Sequence, residues 1–278
     1  DETDLPAAQL TLLLPPRQKD EAKALYARAM MAMPEGGVLL CCLPNTLGSK
    51  TAEKTLRDLA GNTDALSKHK CRAFWAVKDS ATFNTALAQD WLANDAPRQV
   101  DGEELWSRPG LFSRDRVDAG SELLADSIPE HIKGRGADFG AGQGYISRQV
   151  LLNCPKVTSM TLYEAEHRAL SCIEKTMGDV GEYTAHWTDI PNTTLSDRFD
   201  FIVMNPPFHV GRADAASLGQ DFIRAASRAL KPGGQLYMVA NRHLPYEAVL
   251  SATFKSHEMI EDTGGYKIIF AERPKRLK

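Results

Sequence analysis

No apolar run in the chain approaches the ~18 residues that a membrane-crossing helix needs, so no transmembrane segment is expected. The N-terminal stretch DETDLPAAQL is acidic and lacks the basic-then-apolar order of a secretory signal. It also lacks an initiator Met, which is consistent with a piece trimmed from something longer. Cysteine is sparse: Cys41, Cys42, Cys71, Cys154 and Cys172 make an odd count of five, with no Cys-x-x-Cys pair. That usage argues against a disulfide framework and for free thiols in a reducing cytoplasm. The paired ligand spacing of zinc sites is missing as well, so no metal is expected. An excess of positive charge is also absent. The formal net charge of −3 does not favour a protein that coats nucleic acid through a generally basic surface, although it leaves room for a local basic patch.

What remains is a globular composition. The 278 residues are 43% apolar and 25% charged, enough for one large domain or two modest ones. Two textures divide them. In residues 1–95 an apolar strand, LTLLL, precedes Pro15-Pro16, a helical pattern follows, and PEGG introduces a second strand, VLLCCLP. SKTAEKTLRDLAG reads as a helix with Ser49 as N-cap and Gly61 as stop, and HKCRAFWAVKD as another strand. Residues 88–128 are polar, with Trp91, Trp106 and Phe112 interspersed, and read as a connector plus a packed loop.

From about Gly134 strands and helices alternate regularly, which predicts an α/β sheet. KPGG closes the helix DAASLGQDFIRAASRAL, and a proline opens the short helix PYEAVLSATF. SHEMIEDTGGYKIIFAER predicts two strands around Gly264-Gly265, an antiparallel pair beside an otherwise parallel sheet. An internal repeat is visible too. LLLPP…ALYARAMMAMPEGGVLLCCLPN parallels IVMNPP…FIRAASRALKPGGQLYMVANR. Where the second copy has Asn205 before its prolines the first has Leu14, and no Gly-rich turn precedes the first. If the halves are related, only the second can do chemistry.

The chemistry-bearing residues sit where strands end. ADFGAGQGY places Asp138, Gly140, Gly142 and Gly144 after an apolar strand and before a helix. Glycines there let backbone approach a ligand where a Cβ would clash. The spacing is G-x-G-x-G rather than the dinucleotide fingerprint G-x-G-x-x-G. Glu164 ends the next strand, where an acid can accept both hydroxyls of a ribose. Asp189 ends the third, where it can accept the exocyclic amine of an adenine. No Lys-Ser/Thr pair of the P-loop kind follows the glycines, so the pattern suits an adenosine-bearing ligand without a required phosphate, S-adenosylmethionine.

The fourth strand ends in Asn205-Pro206-Pro207-Phe208. Neither proline can donate to a sheet ladder, so the turn is stiff. The Asn205 side-chain carbonyl and the Pro206 backbone carbonyl are acceptors able to hold both hydrogens of a planar NH2 group. Phe208 offers a face on which a base can stack, typically worth ~1–3 kcal/mol.

With these residues in view, DFGAGQG, YEA, TDI and NPPFH resemble motifs I to IV of class I methyltransferases that modify exocyclic amines. RPGLFSRDRVDAGSELL, LKPGGQLYMVANRHLPYEAVL and GGYKIIFAER extend the match. The whole resembles the bacterial ribosomal RNA guanine-N2 methyltransferases of the RsmC type, strongly over residues 105–273 and more weakly over 10–80. The resemblance implies a Rossmann-like class I methyltransferase sheet with a C-terminal antiparallel strand pair at residues 96–278. A smaller degenerate methyltransferase-like α/β domain, truncated at its start, would precede it at residues 1–95. It implies Ala165 of YEA and Ile190 of TDI as cofactor contacts, and Phe112 of GLFSRD in a loop near the cofactor. His209 follows the motif and is assigned no chemistry. The expected partner is ribosomal RNA within the small subunit, met in the cytoplasm by a monomer, since a duplicated pair makes a dimer unnecessary. Large-subunit RNA, adenine N6 or a protein glutamine are the alternative acceptors, and a non-catalytic RNA-binding factor is the alternative class. The intact Asp138, Glu164, Asp189 and Asn205 argue against that class.

Overall fold

The alternation of apolar strands and amphipathic helices folds into two compact units, Asp1–Ala96 with Arg108–Gly110, and Pro97–Ser107 with Leu111–Lys278. The computed structural model describes residues 6–207 and 212–275, the side chains of 212–216 excepted. Among them no helix is long and apolar enough to cross a membrane.

The first unit comprises β1 (Leu10–Leu13), α1 (Lys19–Ala32), β2 (Val38–Pro44), α2 (Ser49–Ala60), β3 (Asp64–Lys68), β4 (Cys71–Val77) and α3 (Thr85–Ala93). Its four-stranded sheet has the order β1-β2-β4-β3, with β1 parallel to β2 and the other pairs antiparallel. Tyr26, Met30, Leu39, Leu56, Leu59 and Phe74 are fully buried in its core, each worth ~1.5–3 kcal/mol of transfer free energy. The Asp95 carboxylate, also buried, accepts hydrogen bonds from Arg28 at 2.8 Å and Arg108 at 2.5 Å. Ser49 does not cap α2. Gly48, at φ 77°, occupies the cap position, and the buried Ser49 hydroxyl donates instead to Asn45 Oδ1 at 3.2 Å. Gly61 ends the helix as expected, at φ 93°.

The second unit comprises the two-residue strands β5 (Arg98–Gln99) and β6 (Trp106–Ser107), then α4 (Ala119–Ser127), β7 (Lys133–Phe139), α5 (Tyr145–Asn153), β8 (Lys156–Glu164), α6 (His167–Met177), β9 (Tyr183–Trp187), β10 (Phe199–Met204), α7 (Arg212–Ala229), β11 (Leu230–Asn241), α8 (Glu247–Thr253), β12 (Phe254–Thr263) and β13 (Tyr266–Pro274). Seven strands form one sheet in the order β12-β13-β11-β10-β7-β8-β9. β9, β8, β7, β10 and β11 run parallel, and β13 runs antiparallel to both its neighbours. The expected parallel sheet with a C-terminal antiparallel pair is therefore present. The chain builds outward from β7 to β9 and then returns to lay β10 against the other side of β7. Crevices for ligands form at the carboxyl ends of strands beside such a reversal.

Three local expectations are corrected. Residues 88–128 are not simply connector: α3 ends within them, β5 and β6 pair there, and α4 occupies Ala119–Ser127. The KPGG segment does not follow the helix as a separate stop; α7 ends at Ala229 and β11 starts at Leu230, with a register shift opposite Phe199 and Phe201. Pro245 lies outside the last helix, because Tyr246 is the N-cap of α8 and Glu247 its first residue.

Both faces of the central strands of the second sheet are buried. On β10, Ile202 and Met204 join one apolar cluster, while Phe201 and Val203 join the other. The central pairing leaves no room for a side chain at Gly136. β7 lies against β10 with Gly136 opposite Phe201, and a Cβ at Gly136 would overlap the Phe201 ring and the Met160 sulfur. Gly136→Ala is therefore expected to cost about 1–3 kcal/mol by overpacking and to lower Tm by roughly 3–10 °C, read by thermal denaturation against the parent protein.

Candidate active site

β7 ends at Phe139, and the chain turns through Gly140, Ala141, Gly142, Gln143 and Gly144 into α5. Gly140, Gly142 and Gly144 hold φ values of 77°, 55° and 89°, a region that costs other residues ~1–2 kcal/mol. The Tyr163 carbonyl, near the end of β8, accepts from the Gly140 and Ala141 amides at 2.9 and 3.1 Å, which ties the turn to the next strand. A Cβ on Gly142 would meet nothing within 4 Å, so that backbone is open. A Cβ on Gly144 would instead face Met177 and Leu162. Those contacts are at ordinary distance, so the left-handed φ of the α5 N-cap, not lack of space, is what favours glycine at 144.

Asp138 is the penultimate residue of β7 and is fully buried. Its Oδ2 accepts from the Ser147 hydroxyl at 2.8 Å. Its Oδ1 has no hydrogen-bond partner among the described residues. Burial pushes the carboxyl up to about 7 from an ordinary 3.8; the Ser147 hydrogen bond opposes this and the nearby Glu164 charge adds to it. Glu164 closes β8. Its Oε2 accepts from the Gly142 amide at 2.7 Å and its Oε1 from the Glu166 amide at 2.8 Å. The carboxylate is thereby oriented, and each oxygen keeps a lone pair.

Asp189 follows β9 and caps a short 3-10 turn, Ile190–Asn192. Its Oδ2 accepts from Asn192 Nδ2 at 2.8 Å. The side chain is exposed, while Ile190 beside it is buried. The Ala165 carbonyl accepts from the Trp187 indole at 2.9 Å.

Asn205 is the first residue beyond β10. Met204 pairs with Phe139, so Asn205 and Gly140 leave adjacent strands side by side. The Asn205 amide nitrogen donates to Asp118 Oδ2 at 3.0 Å and to Ser121 Oγ at 2.8 Å. Asp118 is also the N-cap of α4, accepting from the Ser121 backbone amide at 2.9 Å. Phe208 and His209 lie outside the described residues.

These groups surround one cleft of about 270 Å³. Of the residues singled out from sequence, it brings together Phe112, Gly140, Gly142, Glu164, Ala165, Asp189, Ile190, Asn205 and Pro206. Asp138 lies beneath it and Gly144 outside it. Gln143 supports the rim: its amide nitrogen donates to the Ser107 hydroxyl at 3.1 Å and to the Phe112 carbonyl. Two clefts of about 850 Å³ open at the amino edge of the same sheet. They are larger, but neither gathers such a set of convergent acids, glycines and amide. Among the described residues no group of three His, Cys, Asp or Glu is placed to hold a metal ion.

Sequence reasoning missed Asp118, Ser121 and Gln143. The first two carried a readable signal, an Asp before AGSELLADS with Glu122 in the first turn and buried Leu124 and Ile128 one turn apart. Gln143 carried none, because its partners come from a distant loop.

The raised Asp138 pKa has a definite consequence. The folded protein keeps the proton up to about pH 7, whereas the unfolded chain releases it near 3.8. The stabilisation is complete below the unfolded value and is lost as pH rises through the folded one. Asp138→Asn cannot titrate. The Tm of the parent minus that of Asp138→Asn is therefore expected to fall between about pH 4 and pH 7 and to level off above, measured across a buffer series without ligand. A flat difference would contradict the assignment.

The chain matches the Methyltransferase small domain family over residues 102–270. It is 32% identical over 254 residues to ribosomal RNA small subunit methyltransferase C of Salmonella newport (strain SL254), covering 91% of this chain and 72% of that protein. The protein of the same description from Salmonella typhi matches equally, at 32% over 254 residues. Among solved structures, the T. thermophilus 16S rRNA N2 methyltransferase (RsmC), in complex with AdoMet and guanosine, superposes with a TM-score of 0.82 at 26% identity, covering 98% of this chain and 75% of that one. With a Gly-rich turn, two strand-end acids and an Asn-Pro-Pro turn converging on one cleft, and with relatives of this extent, the chain belongs to the methyltransferase small-domain family, among the ribosomal RNA small subunit methyltransferase C proteins.

Proposed function

We propose that this protein transfers a methyl group from S-adenosylmethionine to the exocyclic N2 amine of a guanosine in 16S ribosomal RNA. The observation that carries the reading is the position of the Asn205-Pro206 turn. It leaves the sheet beside Gly140 and lines the same cleft as Glu164 and Asp189. The relatives support the acceptor: they are small-subunit ribosomal RNA methyltransferases, and one holds AdoMet and guanosine.

The cleft suits the cofactor. Gly142 presents open backbone, Glu164 holds two oriented oxygens with lone pairs to spare, and Asp138 keeps an oxygen that has no partner among the described residues. Glu164 would take the ribose hydroxyls and Asp189 the adenine amine, with Ala165 and Ile190 beside them. Gly140 and Gly142 would admit the methionyl part, and Phe112 would close one side. When bound, S-adenosylmethionine supplies an electrophilic methyl on a sulfonium.

The rest is done by this chain's own groups. Asn205 Oδ1 accepts one hydrogen of the target amine and the Pro206 carbonyl the other. Fixing both hydrogens draws the nitrogen lone pair out of conjugation and gives it one direction. No general base is needed before attack, because the amine proton becomes acidic once the nitrogen is alkylated. Catalysis is mainly positioning and electrostatic fixing. Phe208, following the prolines in sequence, would supply a stacking face.

The first unit fits a degenerate copy of the second, with the division near residue 95. Its strand order and directions, β1-β2-β4-β3, repeat those of β10-β11-β13-β12. Leu14 stands where Asn205 stands, so this copy has no amine-holding turn. The reading makes the protein a cytoplasmic monomer that acts on small ribosomal subunits.

The decisive assay offers small subunits, large subunits and deproteinised RNA, from cells lacking the gene, with radiolabelled S-adenosylmethionine, followed by digestion to nucleosides. Label is expected in N2-methylguanosine from small subunits. Label in N6-methyladenosine or in protein would overturn the acceptor. Asn205→Ala is expected to lower kcat by about 10²–10³-fold or more while S-adenosylmethionine still binds; retained turnover would remove Asn205 from the mechanism.

A further inference from the structure

A carboxamide is nearly symmetric in shape and opposite in chemistry at its two ends: Oδ1 accepts hydrogen bonds and Nδ2 donates them. Asn205 is useful to an amine only if Oδ1 faces it. With the amide turned over, Nδ2 would present protons to a group that already carries protons. It would also compete for the lone pair that must attack. Some feature of the protein has to hold the amide in one sense, and α4 supplies it.

Nδ2 carries two hydrogens, and the structure accounts for both. One goes to Asp118 Oδ2 at 3.0 Å and the other to Ser121 Oγ at 2.8 Å. An ionised carboxylate can only accept. Turning Asn205 over would set Oδ1 against Asp118 Oδ2 at hydrogen-bond distance, with two acceptors facing and no proton between them. Ser121 is more tolerant, since a hydroxyl can accept or donate. The two partners therefore differ in kind: Asp118 selects the orientation, and Ser121 occupies the second proton. Asp118 is itself fixed, because the same Oδ2 caps α4 through the Ser121 backbone amide at 2.9 Å. All three side chains are half-buried, which strengthens both the attraction in one sense and the repulsion in the other.

We propose that Asp118 and Ser121 are positioning residues which lock the Asn205 carboxamide with its oxygen toward the acceptor amine. The proposal rests on the role of Asn205 given above. The lock also bears on selectivity. An oxygen held in that sense welcomes an amine and repels a base that carries a carbonyl at the same place.

The test separates orientation from helix capping and from general damage. Asp118→Ser keeps a good N-cap residue but is too short to reach Asn205. Ser121→Ala keeps the backbone amide that Asp118 caps. With small subunits as substrate, Asp118→Ser is expected to lower kcat by about 10–100-fold and Ser121→Ala by less. KM for the subunit and the affinity for S-adenosylmethionine should each stay within about threefold, well below the roughly tenfold that a lost contact of about 1.4 kcal/mol would give. A second background gives a sign that mere structural loss cannot imitate. Asn205→Asp has no amide protons and sets two carboxylates against each other, so it should be nearly inactive. Adding Asp118→Ser removes the repulsion and leaves an acceptor facing the amine, so the double variant should be faster than Asn205→Asp alone. If Asp118→Ser slows both backgrounds alike, or if both single variants keep full kcat while Asn205→Ala loses it, the orienting role is wrong. If Asn205→Ala itself retains turnover, the failure lies in the role of Asn205 and the lock falls with it.

Discussion

The candidate site depends on the pairing of β7 with β10. Those strands are 60 residues apart in sequence, and their register sets Phe139 beside Met204. The next residue on one side opens the glycine turn, and the next on the other is Asn205. A slip of one residue would invert every side chain on β10 and carry the amide to the wrong face. Gly136 holds this register, since only a residue without a Cβ lets Phe201 and Met160 close over it. Both faces of β10 are apolar and buried, Ile202 and Met204 on one and Phe201 and Val203 on the other, so the close fit at Gly136 rather than a polar face distinguishes one register from the next.

Around that seam the site is assembled from strand ends that do little alone. Glu164 is oriented by two backbone amides, one of them from the turn it faces. Asn205 is oriented by a helix that precedes the whole sheet in sequence. The stiff Pro206-Pro207 pair ends the strand, and α4 decides how the amide sits on it. Backbone geometry and side-chain orientation thus come from different parts of the chain.

The sequence made the strand ends legible because each is marked locally. An apolar run stops at Asp138 and glycines, at Glu164, at Asp189, or at Asn205 and two prolines. The same punctuation exposed the repeat and the final pair of strands around Gly264-Gly265. β3 was harder to see, because DALSK is an edge strand whose side chains are mostly exposed, and neither alternation nor apolar content marks it. α4 lies in a polar stretch and was passed over, although Asp118 before AGSELLADS marks its start, and Ser121 was passed over with it. Gly144 was legible as part of a motif, but the motif does not say which of its glycines line the cleft and which lie toward Met177 and Leu162. Such distinctions are tertiary: they depend on what lies across the turn, 18 or more residues away in the chain.

The buried Asp138 has a calorimetric consequence. Its carboxyl is pushed up to about 7, with one oxygen left without a partner among the described residues. On the proposed function, a cofactor that carries positive charge would favour the ionised form, so its binding would expel a proton near neutral pH. The measured heat of binding then includes the heat with which the buffer takes that proton up. It should differ between phosphate and Tris by an amount that vanishes well above pH 7, where the proton has already left.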